Sequence, residues 1–84
     1  MNEKVEFTFD QGKCDPAEVI RVVEDLDIVS ERFSRTAETT CKMVFHRNST
    51  ATVILEMDAS IFENVYKKFG YRGRLISLGA HFPE

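Results

Sequence analysis

Apolar and polar residues alternate along the first part of the chain. Within residues 4–10 every odd-numbered residue is apolar and every even-numbered residue is polar. A period of two places successive side chains on opposite faces of a strand, so this segment predicts a strand with one face buried. The segment 11–14 breaks the alternation and ends the predicted strand.

A second alternating region predicts a β-hairpin. Its apolar residues all have odd numbers: Cys41, Met43, Phe45, Ala51, Val53, Leu55 and Met57. Directly opposed residues of a hairpin share a face, so only a loop with an odd number of residues keeps this apolar set together. The stretch 47–49 fits a three-residue loop, because Asn48 tolerates the left-handed backbone that such loops use.

A helix is predicted to follow the first strand. Asp15 can cap it, Pro16 suits its first position and Glu18 completes a capping box. Apolar residues then recur at helical spacing at Val19, Ile20, Val22, Val23 and Leu26. Carboxylates crowd the segment 24–27, which would be the unfavourable end of a helix that stops there.

The remaining segments are predicted with less regular patterns. Residues 60–69 have helical periodicity, and Gly70 provides a stop. Residues 75–82 alternate again and predict a last strand, with Ile76, Leu78, Ala80 and Phe82 facing inward. The segment 28–36 could add an edge strand through Val29 and Phe33, and the wider range 28–40 could equally be a loop or order on binding.

The predicted order is strand, helix, strand, strand, helix, strand within one domain, 1–84. This is the ferredoxin-like split βαβ arrangement (βαββαβ), an α+β fold in which two helices cover one face of an antiparallel sheet. The topology is similar to that of ACT-type ligand-sensing domains and of RNA-recognition folds. Many unrelated functions share it, so the resemblance implies a fold and no activity.

Composition and charge narrow the function classes. The chain is 43% hydrophobic and 30% charged, which is typical of a folded globular domain. No apolar run is long enough to span a bilayer, and the first ten residues lack the pattern of a signal peptide. We therefore expect a cytoplasmic protein without a membrane partner, with Cys14 and Cys41 as free thiols. A net charge of −3 gives no overall attraction to nucleic acid.

Motifs for catalysis, metal binding or cofactor binding are absent from the sequence. It has no nucleophile elbow, phosphate-binding loop, dinucleotide fingerprint or zinc-protease motif. Cys41 and His46 should point to opposite faces of their strand, so we expect no metal site and no cofactor. We predict that the protein is not an enzyme. A thiol-dependent enzyme at Cys14 is the third hypothesis, since its tertiary surroundings are open.

A basic cluster gives the alternative function. Lys67, Lys68, Arg72 and Arg74 fall within eight residues, where they could bind an anion, a phosphate ligand or RNA. The predicted middle strands carry acidic residues and no outward aromatic ring, which argues against base stacking on the sheet. Nucleic-acid binding is therefore not the favoured function.

The leading hypothesis is a small interaction or regulatory module. Val44, Ile54 and Leu75 are predicted to lie on the open face of the sheet, flanked by charged neighbours. Apolar residues grouped on an exposed face form a contact surface for a partner. We expect the protein to bind another protein, or to form a homodimer, through this face or through an edge strand.

Overall fold

A computed structural model describes residues 1–83. The elements are strand β1 (Asn2–Asp10), helix α1 (Pro16–Phe33), strands β2 (Thr39–Phe45) and β3 (Thr50–Asp58), helix α2 (Ala59–Ile61) and helix α3 (Tyr71–Leu78). Helix α2 continues directly into a π-helical segment, Phe62–Tyr66. The fold is α+β, with a three-stranded antiparallel sheet in the order β1-β3-β2.

The alternation in the first and third strands has the predicted consequence for burial. The odd-numbered residues of β1 from Val5 to Phe9 and all those of β3 are buried, while the even-numbered ones are not. Their side chains pack against α1, the π-helical segment and α3, which lie on one face of the sheet. The other face is open.

The hairpin between β2 and β3 has the odd-length loop that the sequence predicts. The pairing runs from Phe45 opposite Ala51, and the amide of His46 donates to the carbonyl of Thr50 across a three-residue loop. The left-handed residue is Ser49, with φ 67°, and not Asn48. The Asn48 side chain instead accepts hydrogen bonds from the amide and hydroxyl of Thr50.

Helix α1 starts as predicted and continues further than predicted. Asp15 accepts a hydrogen bond from the amide of Ala17 (2.9 Å), and Pro16 occupies the first turn. The extra edge strand at 28–36 is wrong, because the helix runs on to Phe33. The buried Ser30 donates its hydroxyl to the carbonyl of Leu26 (2.6 Å), which satisfies a polar group inside the apolar stripe.

The predicted last strand is also wrong, and with it the six-element order. Residues 71–78 form helix α3, which buries Tyr71 and Leu75, one helical turn apart. Gly70 has φ 70°, a left-handed conformation that lets the chain turn directly into this helix. Within the described residues after α3, His81 alone pairs with a strand, through an isolated antiparallel bridge with Thr8.

Candidate interaction site

The free edge of β2 is the most exposed part of the sheet. The even-numbered residues of β2 direct their backbone groups toward β3, as the bond from His46 to Thr50 shows. Backbone groups alternate in direction along a strand, so those of the odd-numbered residues point away from the sheet. The edge from Thr39 to Phe45 therefore presents a row of N–H and C=O groups without a neighbouring strand among residues 1–83.

The other edge of the sheet is partly closed. Thr8 of β1 donates to the carbonyl of His81 (2.9 Å), and His81 donates to the carbonyl of Thr8 (2.8 Å). Phe82 then packs on Phe7 with ring centroids 5.1 Å apart. The segment after α3 thus occupies the β1 edge at Thr8, whereas no strand within the described part of the chain pairs with the edge of β2.

The inner-face side chains of β2 are apolar but poorly covered. Cys41, Met43 and Phe45 lie on the same face as the buried residues of β3, since each is directly opposite one of them. Phe45 is nevertheless 56% exposed, Cys41 is exposed and Met43 is only half-buried. Cys41 belongs to the predicted apolar face of the hairpin but does not lie in the core, because the helices cover β1 and β3 and the edge strand extends beyond them.

One apolar side chain of α1 is also exposed. Ile20 of α1 is 44% exposed. It lies about 140° around the helix from Asp25, the residue that contacts α3. Ile20 is therefore on a different flank of α1 from the contact between Asp25 and α3.

The three predicted partner-binding residues are not brought together. Val44 (38% exposed) and the half-buried Ile54 share the open face and are diagonal neighbours, since Val44 is opposite Thr52 and Ile54 is opposite Lys42. Leu75 is 1% exposed and points into the core from α3. Its assignment to the open face is wrong because the segment that holds it is a helix.

The four residues of the basic cluster make separate local contacts. Lys67 pairs with Glu63 (3.4 Å), and Arg74 pairs with Asp25 (2.7 Å). The guanidinium of Arg72 lies 5.0 Å from the ring of Phe82, and Lys68 is exposed. Two of the four cations are thus already paired with carboxylates, which leaves fewer charges for an anionic ligand.

A polar contact that the sequence did not reveal connects α1 to α3. Asp25 accepts hydrogen bonds from the Tyr71 hydroxyl (2.8 Å) and from Arg74 (2.7 Å). The Arg74 and Tyr71 hydrogen bonds hold the pKa of Asp25 below its ordinary value. The predicted conflict between this carboxylate and the helix end is absent, since α1 continues to Phe33 and places Asp25 mid-helix.

A cleft of about 350 Å³ lies beside the closed edge of the sheet. The rings of Phe62, Tyr66 and Phe82 line it together with Arg72. Tyr66 is 3% exposed, and its hydroxyl has no hydrogen-bond partner within residues 1–83. Burial raises the pKa of Tyr66 to about 12, against a smaller opposing effect of Arg72. The hydroxyl therefore stays protonated at neutral pH.

The thiols and histidines do not assemble into a reactive centre. Cys14 is buried, and its burial together with the carboxylates of Glu18 and Asp15 raises the pKa of the thiol. A raised pKa reduces the nucleophilic thiolate, contrary to what a catalytic cysteine needs. His46 follows the end of β2, and its side chain is hydrogen-bonded to the Thr52 hydroxyl (2.8 Å), while His81 lies beyond α3.

The described residues hold neither a candidate metal centre nor a membrane-spanning helix. Within 1–83 no group of three or more His, Cys, Asp or Glu residues is arranged to hold a metal ion. No helix in the same range is long and apolar enough to cross a membrane.

Comparison with known proteins leaves the family open. No protein-family model, no curated protein and no solved structure matches this chain. What is shown is the fold class alone: a small α+β domain with a three-stranded antiparallel sheet and three helices among the described residues.

Proposed function

We propose that the protein is a small, non-enzymatic interaction module that binds a protein, either another chain or a second copy of itself, by adding a strand to the free edge of β2. One observation carries the proposal: this edge is long, has no neighbouring strand within residues 1–83 and exposes apolar side chains on its inner face. Natural proteins usually protect such edges with charges, proline or a covering segment. The segment Thr39–Phe45 has one lysine and no proline.

Strand addition uses two properties of this edge. The outward N–H and C=O groups of Cys41, Met43 and Phe45 supply sequence-independent hydrogen bonds to an incoming strand. The side chains that alternate on its two faces supply selectivity, because each needs a neighbour of suitable size. Val44 and Ile54 contribute to the open face beside the added strand.

Covering Phe45 provides part of the binding energy. Complete burial of a phenylalanine contributes about 1.5–3 kcal/mol, so covering the 56% that is exposed is worth roughly 1–1.5 kcal/mol. Hydrogen bonds along the strand add roughly 0.5–1.5 kcal/mol each in net terms. These gains support a reversible interaction, as expected of a regulatory module.

The first experiment is size exclusion with light scattering over a range of protein concentration, combined with affinity capture. The test variant is Met43→Pro, which removes an outward N–H and leaves the hydrogen bonds between β2 and β3 in place. The control is Ile54→Lys, which changes the open face and leaves the edge intact. We expect Met43→Pro to abolish self-association or partner capture and Ile54→Lys to weaken it at most slightly.

The opposite result would assign binding to a different surface of the protein. Loss of binding in Ile54→Lys alone would place the partner on the open face. A protein that is monomeric at all concentrations, and whose captured partners are unchanged in both variants, would contradict the proposal. Far-UV circular dichroism of both variants shows whether the fold is kept.

RNA or phosphate binding through the basic cluster remains the alternative prediction. Single-stranded RNA at low salt is the probe, and a steep loss of affinity with added salt would support it. The cytoplasmic location likewise stays a prediction.

A further inference from the structure

We infer that the strand added to β2 is β2 of a second copy of this chain, antiparallel, with Met43 of one copy opposite Met43 of the other. This inference rests on the proposed function and specifies its partner. It follows from the direction of the backbone groups, from the single charge on the strand and from the sizes of the side chains on its inner face.

The backbone restricts the registers available to such a pair. Only odd-numbered residues of β2 point their N–H and C=O groups outward, so odd residues must pair with odd residues. The two-fold axis that relates the copies then lies between one residue and the same residue of the second copy. Only axes at Cys41, Lys42 or Met43 overlap most of the strand Thr39–Phe45.

An axis at Lys42 opposes two like charges. The even-numbered residues would form the close, non-hydrogen-bonded pairs, in which the Cα atoms are about 4.5 Å apart. Two lysine side chains directly opposite each other on one face are destabilising. This register has the longest overlap, and charge excludes it.

An axis at Cys41 leaves the most exposed apolar side chain of the strand unpaired. Phe45 would lie opposite residue 37, which precedes β2 and belongs to no strand. An axis at Met43 instead places Phe45 opposite Cys41 of the second copy, a large side chain beside a small one. The register centred on Met43 is therefore the only one of the three that both separates the lysines and covers Phe45.

The same register extends the side-chain rows of each hairpin. On the inner face, Cys41 is opposite Leu55 in its own sheet and would be opposite Phe45 of the second copy, which in turn is opposite Ala51. Large and small residues thus alternate along this row of the joined sheet, as interdigitating layers require.

The open face shows the same complementarity. Lys42 is opposite Ile54 within the hairpin and would be opposite Val44 of the second copy. The aliphatic part of a lysine covers apolar neighbours while its ammonium stays in water. The pairing would form a continuous six-stranded sheet, because each copy contributes its three strands.

Thiol cross-linking tests the register. All variants carry Cys14→Ala, so that only the strand thiols react. One keeps Cys41, the second combines Cys41→Ser with Met43→Cys, and a control carries Cys41→Ser alone. Each is oxidised briefly with copper–phenanthroline and examined on a non-reducing gel. We expect the Met43→Cys variant to shift to a covalent dimer, because opposed Cα atoms in that pair are about 5.5 Å apart, within the range of a disulfide.

The variant that keeps Cys41 should remain monomeric on the gel. In the inferred register its two thiols are four residues apart along the strands, about 13 Å, which is beyond the limit of about 7 Å for a disulfide. A further variant, Phe45→Cys with Cys41 present, changes an exposed position and should link its introduced thiol to Cys41 of the other copy. It keeps the test valid if Met43→Cys does not fold.

The outcomes separate the inference from the proposed function. Faster linking of Cys41 than of Met43→Cys would overturn the register. A protein that light scattering shows to be monomeric, but that captures another protein in a manner sensitive to Met43→Pro, would overturn the second copy as partner and leave the edge-binding function standing. If the natural protein shows neither self-association nor partner capture, the result would contradict the inference and the proposed function alike.

Discussion

Two buried tyrosines allow one substitution to be tested in opposite environments. Tyr66 and Tyr71 are 3% and 2% exposed, and their rings stack with centroids 6.5 Å apart. The Tyr71 hydroxyl donates to Asp25 (2.8 Å), whereas the Tyr66 hydroxyl has no partner among the described residues. Replacement of each by phenylalanine removes one oxygen atom from a similarly packed ring.

The expected effects have opposite signs. A hydrogen bond to a charged group contributes about 1.5–3 kcal/mol, and the partly exposed Asp25 carboxylate reduces this to roughly 1–1.5 kcal/mol for Tyr71→Phe. Tyr66→Phe removes a hydroxyl that is desolvated without compensation, so we expect it to be neutral or to stabilise the fold by up to about 1 kcal/mol. The two variants should therefore differ by about 1–2.5 kcal/mol.

Urea denaturation followed by far-UV circular dichroism measures this difference. All proteins are compared at one concentration, because self-association would add to the apparent stability. For a domain of this size, about 1 kcal/mol corresponds to a Tm shift of about 4–8 °C, so thermal melting provides an independent check. A loss of stability in Tyr66→Phe equal to that in Tyr71→Phe would refute the reasoning, since it would mean that the Tyr66 hydroxyl is satisfied.

Three further predictions follow from local geometry. The pKa of Asp25 is lower in the folded state than in the unfolded state. Its contribution to stability is therefore present above the unfolded-state pKa and is lost as the pH falls through the folded-state pKa. The stability of Asp25→Asn should accordingly fall less in acid, below about pH 4, than that of the natural protein. Iodoacetamide should modify Cys41 in the folded protein long before the buried Cys14, and mass spectrometry after digestion would identify the order, which an early modification of Cys14 would contradict. Ser49→Gly should raise the free energy of unfolding by about 0.5–1 kcal/mol because φ at this position is 67°, whereas unchanged or lower stability would show that the turn relaxes.

Local sequence patterns correctly predicted the strands that are buried on one face and the start of the first helix. The alternation in 4–10 and in 51–57 matched real burial because both strands are covered on one face and open on the other. The start of α1 was also predictable, because capping by Asp15 and Pro16 depends only on neighbouring residues. An odd-length hairpin loop followed from parity alone.

The same kind of pattern misled at the end of the chain. Apolar and polar residues alternate in 76–82, but the first three of these residues belong to helix α3, where Ile76 is 47% exposed. Tyr71, Leu75 and Leu78 were the contrary signal, because they are spaced four and three residues apart, as on one face of a helix. A short apolar segment after a glycine fits the period of a strand and that of a helix. The helix is the form that brings Tyr71 of α3 into contact with Asp25 of α1.

The candidate site was predictable only in part, for a reason of geometry. The sequence identifies which side chains share a face of β2, but not whether a helix covers that face. Cys41 and Phe45 have the same pattern as the buried Leu55 and Ala51, and only their position on the edge strand leaves them exposed. An edge strand and a central strand are distinguished by tertiary contacts that no local period encodes.

The two edges of the sheet differ in how they are protected, and the proposed interaction depends on this difference. At β1, the backbone groups of Thr8 are paired with His81, and the ring of Phe82 follows onto Phe7. A second strand could not pair with Thr8 without displacing that segment. At β2 the corresponding groups have no strand beside them within residues 1–83, and in the inferred pairing the free β2 edge of each copy would be used by the other. The inferred two-fold pairing would therefore form a closed dimer through β2, although an exposed edge of this kind leads to aggregation in other proteins.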